Sequence, residues 1–359
     1  MPKLEDLCKK ESSSIAQKDL EGKDGSYPIY GASGFIKNID FYQQERPYIA
    51  VVKDGAGVGR VMCLPAKSSV IGTMQYIIPE DGVVVNYLAY ALEHMNLAKY
   101  YTGATIPHIY FKDYCKEELP AHTKEEQRHI STSLDKVSEL IALRKEQLVK
   151  LDQLVKSRFI ELFGDPKDNP KGYSQKQLKD TCRVITGNTP SRAVSEYYGD
   201  HIEWIKTDNI VSGLLNPTTA TESLSEKGMA VSRTVESGAI LMACIAGSIA
   251  SIGRVCVTDR KVAFNQQINA IVPSDYNILF LYVMLQISKE YLVDEINMAL
   301  KGILSKSKLE EKTFYVPPIE LQEQFAAFVD QTDKSKLAIQ QSLEKLETLK
   351  KSLMQEYFG

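Results

Sequence analysis

The sequence predicts two mixed α/β globular domains joined by two long antiparallel coiled-coil helices, a fold with a pseudo-two-fold tandem repeat. Three observations predict this fold class. Residues 127–164 repeat as residues 322–359, with eleven of 38 positions identical. Both copies carry apolar side chains at helical spacing, and ahead of both copies the strand-like and helical runs follow in the same order. The chain is therefore built from two similar units.

The ends of the repeats divide the chain into domains. The copies close with KSRFIELFG at 156–164 and KSLMQEYFG at 351–359, and each unit starts with L-x-D-x-C, at 4–8 and 178–182. A chain of 359 residues has room for two domains with their own cores. The predicted segments are a first globular domain at 1–119, a helical repeat at 120–164, a linker at 165–177, a second globular domain at 178–316 and a second helical repeat at 317–359.

The composition is that of a globular protein, with 43% hydrophobic and 25% charged residues. The start, MPKLEDLCKK, lacks a basic region followed by an apolar one, so we expect no secretory signal and a cytoplasmic location. The best apolar run, 239–253, is interrupted by Gly and Ser, which argues against a membrane span. The six cysteines are scattered without a CxxC pair, which favours reduced thiols over zinc ligands or disulfides.

The charge of the chain is nearly balanced, with a formal net charge of −3. The segments 1–120, 121–165, 166–316 and 317–359 carry −2, 0, +1 and −2. No segment is a polycation. Any contact with nucleic acid must therefore come from local clusters of charge.

The helical repeats carry coiled-coil seams. Neither seam contains Gly or Pro, and a helix of about 35 residues is about 50 Å long. Two independent hairpins are the alternative, but a long helix with one apolar stripe must bury it, and the other copy is the natural partner. The predicted helix–helix contacts are Leu134, Ile141, Leu148, Leu151, Val155 and Leu162 in the first helix, and Val329, Ile339, Leu343, Leu346, Leu353 and Tyr357 in the second.

Two lysines interrupt the second seam, Lys336 and Lys350. They either extend to solvent or face acidic residues of the first helix. The Gly/Pro-rich stretch GDPKDNPKGY at 164–173 ends the first helix and reverses the chain. We therefore expect the globular domains at opposite ends of a rod, with the end of the chain beside the start of the first domain.

Both globular parts contain strand-like runs followed by a long helical run. The helical runs are 86–101 and 278–300. The predicted strands are 47–52, 60–64, 74–79, 239–245, 254–258 and 268–273. The globular parts share few residues, whereas the helical repeats have stayed alike. This contrast predicts two equivalent docking surfaces and two different targets.

The motifs that would indicate catalysis are missing. Gly55, Gly57 and Gly59 resemble a nucleotide loop, but a strand follows where a phosphate loop requires a helix, which indicates a tight turn. The sequence contains no GxxxxGK[ST], no methyltransferase N-P-P-[YF] and no His pair at metal-ligand spacing. We therefore expect this chain to catalyse nothing by itself and to bind no metal.

A set of short stretches resembles one family in both halves. A proline and a glutamine precede each helix (Pro120 and Gln127; Pro318 and Gln322), and the helices end in ELFG and EYFG. The further stretches are YPIYGASG at 27–34, TGATIPHIYFKDY at 102–114, GNTPSR at 187–192, EWIKTDNI at 203–210, FNQQINAIVP at 264–273 and GILSKSKLE at 302–310. In this order they resemble the specificity subunit of type I restriction-modification systems, over essentially the whole chain.

The resemblance implies that the two globular parts are target-recognition domains separated by an antiparallel helix pair. It also implies a role. A subunit of this family reads a bipartite, asymmetric sequence in double-stranded DNA and holds two methyltransferase subunits, which restriction and translocase subunits join. Methyl transfer to a flipped adenine, S-adenosylmethionine binding and ATP/Mg hydrolysis then belong to the partners, and this chain needs no cofactor. A rigid rod between the domains would set the unread spacer between the half-sites.

The candidate DNA-binding residues are polar and basic side chains on predicted loops. Asn and Gln bond adenine, Arg and Lys bond guanine, and the lysines of 297–309, a stretch without acidic residues, suit phosphate. The candidates in the first domain are Tyr30, Ser33, Lys53, Arg60, Gln75, Thr105 and His108. Those in the second are Thr189, Ser191, Arg192, Lys206, Asp208, Asn209, Arg254, Asn265, Gln266, Gln267, Lys301, Lys306 and Lys308.

The sequence leaves a second interpretation open for these residues. Polar loop residues are usually just solvated, and the arginine of each Gly-Arg-Val could cap a turn. The near-neutral charge of both globular parts is also compatible with a bivalent coiled-coil adaptor that binds proteins rather than DNA. Assembly with a methyltransferase and salt-dependent duplex binding would separate the two.

Overall fold

The computed structural model of the chain describes residues 1–103, 107–294, 296 and 302–359. The chain forms two compact units. Unit 1 comprises 1–144 and 342–359, and unit 2 comprises 145–341. The division falls inside the two long helices, so each unit contains one globular part together with a portion of both helical repeats.

Unit 1 contains seven strands among its described residues. The helices of this part of the chain are α1 (Leu4–Leu7), α2 (Val85–His94), α3 (Phe111–Tyr114) and α4 (Lys124–Phe163), which continues into unit 2. The strands are β1 (Cys8–Ser12), β2 (Tyr27–Gly31), β3 (Gly34–Ile39), β4 (Tyr48–Val52), β5 (Val61–Leu64), β6 (Ser69–Val70) and β7 (Met74–Pro79). They form an antiparallel sheet in the order β1-β7-β4-β5 and a smaller sheet, β3-β2-β6, in which β2 and β6 are parallel.

Unit 2 is richer in short strands. Its helices are α5 (Leu178–Thr181), α6 (Glu226–Ala230), α7 (Ile278–Ile287), α8 (Lys289–Val293), α9 (Lys306–Glu311) and α10 (Ile319–Phe358), which continues into unit 1. The strands are β8 (Gln175–Gln177), β9 (Cys182–Thr186), β10 (Tyr198–Gly199), β11 (Ile202–Ile205), β12 (Ser223–Leu224), β13 (Thr234–Val235), β14 (Ile240–Ala243), β15 (Ile245–Ala246), β16 (Val255–Val257), β17 (Val262–Phe264), β18 (Ile268–Pro273), β19 (Gly302–Ile303) and β20 (Thr313–Tyr315).

The main sheets of the two units have the same plan. In unit 2 the antiparallel order is β9-β18-β14-β16, which matches β1-β7-β4-β5 strand for strand along the chain. The second sheet also repeats a parallel pair, β11 with β17, where unit 1 pairs β2 with β6. The parallel order of elements that the sequence predicts is therefore confirmed, and the predicted strands 74–79 and 268–273 agree with β7 and β18 at both ends.

The glycine-rich segment between β4 and β5 is a hairpin connection, as the sequence predicts. The two strands pair antiparallel from Tyr48 and Leu64 to Val51 and Val61. Gly59 has φ +85°, and a Cβ atom there would lie 2.5 Å from the backbone nitrogen of Ala98. This position therefore accepts only glycine, for a reason of packing and not of phosphate binding.

The long helices each span 40 residues, about 60 Å at about 1.5 Å per residue. In unit 1 the early part of α4 (Ile130, Leu134) shares a core with the late part of α10 (Met354, Phe358). Unit 2 contains the corresponding residues of the repeat, with Phe159 and Phe163 of α4 beside Phe325 and Val329 of α10. In each unit the two helices therefore run antiparallel, as predicted.

The predicted helix–helix contact residues occupy two levels of burial. Leu134, Val329 and Leu343 are buried. The half-buried ones are Ile141, Leu148, Leu151, Val155, Leu162, Ile339, Leu346, Leu353 and Tyr357. The fully buried aromatic residues near the helix ends, Phe159 and Phe163, lie outside the predicted set. The ends of the long helices thus pack into the globular cores, while the middle parts of these helices stay partly open to solvent.

The two lysines of the second seam have different partners. Lys336 pairs with Asp152 of α4, with 2.7 Å between Nζ and Oδ1. Lys350 instead contacts Glu93 of α2 at 3.1 Å, and its ammonium lies 5.4 Å from the centre of the Tyr90 ring. Only the first of them faces an acidic residue of the first helix.

The first long helix ends at a position that only glycine fits. Gly164 has φ +81°, and a Cβ atom there would lie 2.2 Å from Cγ of Pro170. The chain then leads into β8, which pairs antiparallel with β20. The predicted linker 165–177 thus ends in a strand of unit 2.

A buried glutamine repeats at the start of each long helix. Gln127 accepts a hydrogen bond from the Val84 backbone N–H at 2.9 Å and donates to the His122 carbonyl at 2.9 Å. Gln322, which is fully buried, accepts from the Asn277 N–H at 2.9 Å and donates to the Pro317 carbonyl at 2.8 Å. Each glutamine therefore ties the N-cap residue of α2 or α7 to its long helix.

The end of the chain lies in the core of unit 1. Phe358 shares a cluster with Leu4 and Cys8, and its ring lies 5.2 Å from that of Tyr87. The last turn of α10 is therefore placed beside the first residues of the chain, as the repeat predicts. Among the residues that the structure describes, no helix is both long enough and apolar enough to cross a membrane.

Candidate nucleic-acid interface

Three separate stretches of unit 2 converge beside the parallel pair β11 and β17. They are the loop 187–192 after β9, the residues that follow β11, and the loop 265–267 between β17 and β18. The Asn188 N–H donates to the Phe264 carbonyl, and the Asn265 N–H donates to the Ile205 carbonyl. Many of the residues predicted from the sequence for this domain lie on these three stretches, which the fold brings together.

A carboxylate joins two of the predicted basic residues. Glu222 accepts a hydrogen bond from Arg192 through Oε2 and another from Lys206 through Oε1, both at 2.6 Å. These two bonds hold the pKa of the Glu222 carboxyl below its usual value, Lys206 being the larger cause. The carboxylate is therefore ionised at neutral pH and neutralises part of the positive charge of this surface.

Two aromatic rings support the same basic side chains. The Arg192 guanidinium lies 4.4 Å from the centre of the Tyr198 ring and 5.2 Å from that of Trp204, and the Lys206 ammonium lies 5.2 Å from Trp204. Trp204 is buried, and its indole N–H donates to the Asn188 carbonyl at 3.3 Å. The rings fix both cations at the surface through cation–π contacts. We call Arg192, Tyr198, Trp204, Lys206 and Glu222 the Arg192 cluster.

The loop 187–192 is held close to the β17–β18 loop. A Cβ atom at Gly187 would lie 2.2 Å from the Asn265 carbonyl oxygen, so a larger residue would push the loops apart. Thr189 donates a hydrogen bond to the side-chain oxygen of Gln266. Thr189, Ser191 and Gln266 are exposed beside the Arg192 cluster, where they are free to meet a ligand.

Other predicted amides of unit 2 have structural partners. Asn209 is buried and accepts from the Lys206 backbone N–H at 3.0 Å, which shapes the turn after β11. Asn265 is also buried, and it accepts from the Gln267 N–H at 3.1 Å and donates to the Gln267 side chain. Asn209 and Asn265 thus hold the backbone in this structure, and a direct contact of either amide with a base stays a prediction.

The remaining candidates of unit 2 are more dispersed. Arg254 donates to the Thr207 carbonyl at 3.2 Å, so it lies beside the same turn, where Asp208 is exposed. Lys306 and Lys308 lie on α9, which packs against α5 and β9, and Lys306 pairs with Glu310 at 3.5 Å. Lys301 lies outside the described residues.

In unit 1 the segment 53–60 meets the segment 107–110. The Asp54 carboxylate pairs with His108, 2.6 Å from Oδ1 to Nδ1, and Lys53 lies 3.9 Å from the same carboxylate. The Ile109 N–H donates to the Lys53 carbonyl at 2.9 Å. Lys53 and His108, which are 55 positions apart in the sequence, thus share one surface. Thr105 lies outside the described residues.

The turn between β2 and β3 adds to this surface. Arg60 donates to the Ala32 carbonyl at 2.7 Å, which places the exposed Ser33 next to it. Tyr30 is half-buried against Phe35, with 6.0 Å between the ring centres. Phe35 is 60% exposed and Tyr110 is 47% exposed, and both rings can stack on a base or pack on a sugar.

Gln75 has a different role from the one that its residue type suggests. It is 1% exposed, and its amide donates to the Tyr114 hydroxyl at 2.5 Å inside unit 1. It therefore joins β7 to α3 in this structure, and its contact with a base stays a prediction. The sequence does not show burial, so it cannot distinguish a glutamine that is buried in a strand from one that is open to bases.

Sequence reasoning missed some residues of these surfaces. Glu222, Tyr198, Trp204 and Asp54 all contact predicted residues, but none was predicted. An acidic residue is an unexpected neighbour for an arginine that is predicted to bind DNA. Glu222 also lies 30 positions from Arg192, so no local pattern points to it. Of these four residues, Trp204 could have been predicted from the sequence. It is the single tryptophan of the chain, and it lies inside the stretch EWIKTDNI at 203–210.

The described residues offer little nucleophilic or metal chemistry. They contain no group of three His, Cys, Asp or Glu side chains placed to hold a metal ion. Burial raises the pKa of the Cys8, Cys182 and Cys256 thiols to about 12, so these thiols are protonated and unreactive at neutral pH. What the two surfaces provide is a set of donors, acceptors and cations for binding.

Comparison with known proteins places the chain in a family. The model of the type I restriction modification DNA specificity domain matches residues 1–153 and 170–350. The MjaIX type I restriction enzyme specificity subunit of Methanocaldococcus jannaschii is 26% identical over 283 residues, 70% of this chain and 63% of the relative. The HindI specificity subunit of Haemophilus influenzae is 33% identical over 120 residues, 33% of this chain and 25% of the relative. The chain thus spans less than two thirds of the length of these relatives.

Solved structures show the same fold. A crystal structure of the S subunit of a type I restriction-modification system from M. genitalium matches with a TM-score of 0.67 and 16% identity, over 100% of this chain and 95% of that one. A chain from a structure on complex assembly and conformational transition of the type I system matches with a TM-score of 0.55 and 15% identity, over 99% and 96%. Since the family model also matches most of its length, the chain belongs to the type I restriction-modification DNA specificity family.

Proposed function

We propose that this chain is the DNA sequence-recognition subunit of a type I restriction-modification complex. The globular part of each unit reads one half of a bipartite, asymmetric site in double-stranded DNA. The two parts differ in sequence and in the residues that they expose, which suits half-sites of different sequence. Family membership supports the class of function, and the surfaces described above support the direct role in reading DNA.

The observation that carries the proposal is the convergence on the Arg192 cluster. Arg192 and Lys206 come from different stretches of unit 2, and Thr189 and Gln266 lie on the loops packed beside them. Arginine and lysine donate to the O6 and N7 atoms of guanine, and glutamine bonds adenine. A surface with donors and acceptors fixed by rings and loop contacts is preorganised to discriminate between bases.

The repeated helices supply docking surfaces for two methyltransferase subunits. Leu154 in unit 2 and Leu349 in unit 1 are equivalent in the repeat, and they are 49% and 45% exposed. An exposed leucine kept at the same place in both repeats suits a partner that is present twice. Restriction and translocase subunits join through those partners.

The reactions belong to the partners in this proposal. The family model that matches the chain is that of a DNA specificity domain, which supports a chain that positions DNA for other subunits. S-adenosylmethionine is then bound by the methyltransferase subunits, and ATP with Mg²⁺ by the restriction subunits. The chain contributes sequence choice and assembly.

Assembly and duplex binding test the proposal together. The chain is co-expressed with the products of its neighbouring genes, and the purified complex is titrated with duplex DNA at salt concentrations from about 50 to about 200 mM. We expect a stable complex whose affinity for DNA falls steeply with salt, because basic side chains of the protein release the counterions of the phosphates when they bind. A complex that assembles but has no affinity for any duplex would contradict the proposal and favour the protein-binding adaptor.

A further inference from the structure

Glu222 occupies the place that a DNA acceptor would have to take. It is the acceptor for the charged ends of both Arg192 and Lys206, at 2.6 Å each. The Arg192 side chain is 56% exposed and the Glu222 side chain 36% exposed, so this ion pair lies at the surface and not in the core. A DNA acceptor that takes these same donors of Arg192 and Lys206 must therefore displace this carboxylate.

Both cations keep their place if the carboxylate is removed. Arg192 rests on Tyr198 and Trp204, and Lys206 rests on Trp204 and follows directly from β11. Exposed ion pairs contribute little to stability. The carboxylate therefore has a larger effect on the charge of this surface than on its fold.

We propose that Glu222 is a specificity-determining residue, which suppresses binding to non-cognate DNA by competing with phosphate for Arg192 and Lys206. The inference rests on the proposed function. On a non-cognate duplex the cations exchange one anionic acceptor for another and gain little. The displaced carboxylate is then left without donors near the negative backbone, which opposes binding.

The cognate half-site removes this penalty. A base that offers an exocyclic amino group in the major groove, N4 of cytosine or N6 of adenine, donates to a carboxylate. Glu222 then keeps a partner while Arg192 donates to guanine O6 and N7 in its bidentate geometry. The chemistry thus assigns to this cluster a base step that combines a guanine with an amino-bearing base.

Neutralising the carboxylate tests the inference. The complex with the methyltransferase is prepared with wild-type chain, with Glu222→Gln, and with Glu226→Gln as the matched control. Glu226 is also in unit 2, and its exposed carboxylate contacts neither Arg192 nor Lys206 in the structure. The probes are a duplex with the methylated motif mapped in the producing cells, and duplexes in which each half of that motif is scrambled in turn.

A gain of affinity is the expected result for Glu222→Gln. Binding to the duplex scrambled in one of the two halves should tighten by about tenfold or more, and its logarithmic salt dependence should steepen by about 0.9 for each cation set free. Binding to the intact motif should change less, so that the specificity ratio falls. A purely structural role for Glu222 would weaken binding to all probes instead.

Two further outcomes decide against the inference. If Glu222→Gln binds the scrambled duplexes no more tightly than Glu226→Gln does, Glu222 is only a clamp and the inference is wrong. If the wild-type complex binds no duplex at all, the proposed function fails and the inference with it. Glu222→Asp is a second variant in case Glu222→Gln does not fold. Because the shorter side chain cannot reach both cations, affinity for the scrambled duplexes should rise in this variant too, but by less. An unchanged affinity would contradict the inference.

Discussion

Arg192 combines three kinds of contact in one side chain. Its guanidinium pairs with Glu222, lies over two aromatic rings and remains 56% exposed. A planar guanidinium keeps a fixed fork of donors, which lysine does not offer. If this side chain reads guanine, its shape matters as much as its charge.

Replacing Arg192 should therefore weaken DNA binding even when the charge is kept. We expect Arg192→Ala to weaken binding of the methyltransferase complex to its mapped motif by about 1–3 kcal/mol, about 5- to 150-fold, and Arg192→Lys to restore only a small part. Equilibrium titration with labelled duplex measures both. The control Arg183→Ala removes an exposed arginine of β9 outside the cluster and should have little effect; equal losses for Arg183→Ala and Arg192→Ala would contradict the assignment.

Residue types alone predicted part of this surface. Arg192, Lys206 and Gln266 were predictable because their side chains suit base edges and stand next to glycine-rich or strand-end positions. Gln75 and Asn209 were not separable from them, because the amide that bonds adenine equally well caps a backbone turn or joins two elements. Burial decides between these uses, and burial is a property of the fold.

The buried glutamines Gln127 and Gln322 connect elements that lie far apart in the chain. Gln322 is fully buried and makes two hydrogen bonds, to the backbone of Asn277 and of Pro317. Gln127 makes the two equivalent hydrogen bonds, from the Val84 N–H and to the His122 carbonyl. These bonds set how the first turn of α7 or α2 meets its long helix.

Loss of the two hydrogen bonds of Gln322 should destabilise unit 2. Gln322→Ala leaves one buried N–H and one carbonyl without partners, so we expect a loss of about 2 kcal/mol or more in the free energy of unfolding. Thermal and urea unfolding of the chain measures the change. Gln324→Ala, an exposed position in the same turn of α10, is the matched control and should change little. A Gln322→Ala variant as stable as this control would show that these two hydrogen bonds do not stabilise the unit.

Strands and long helices were largely predictable, whereas their packing was only partly so. Strands β7 and β18 are short apolar runs bounded by turn residues, a local signal. The seam prediction missed Phe159 and Phe163, although both rings contact Phe325 of α10. Both rings pack against Phe280 of α7, so the helix end turns its apolar face toward the globular core.

On the scale of the whole molecule, each compact unit contains parts of both long helices. Identical residues of the repeat therefore belong to different units, as Leu154 and Leu349 do. The repeat was readable from the sequence because both copies keep the same residues at the same spacing. The bounds of the compact units were not, because the division falls inside continuous helices that show no break in composition.

The repeated leucines should each control one docking event. We expect Leu154→Lys and Leu349→Lys each to remove one methyltransferase subunit from the complex, and the double variant to remove both, because a lysine cannot be buried in an apolar contact without a partner. Light scattering of the purified complex gives the stoichiometry. Leu337→Lys is the control: Leu337 is 59% exposed, but its repeat partner is Ala142. Unchanged stoichiometry in the double variant would place the docking surfaces elsewhere.

We propose that this chain chooses the DNA sequence, with each unit reading one part of it. The most direct test is a genome-wide map of methylated adenines in cells that express the chain with its methyltransferase partner, for the wild type and for Arg192→Ala. We expect a two-part motif with an unread gap in the wild type, and relaxed or lost specificity in only one part of the motif in the variant. A single contiguous motif, or a motif in which both parts are unchanged by Arg192→Ala, would contradict it.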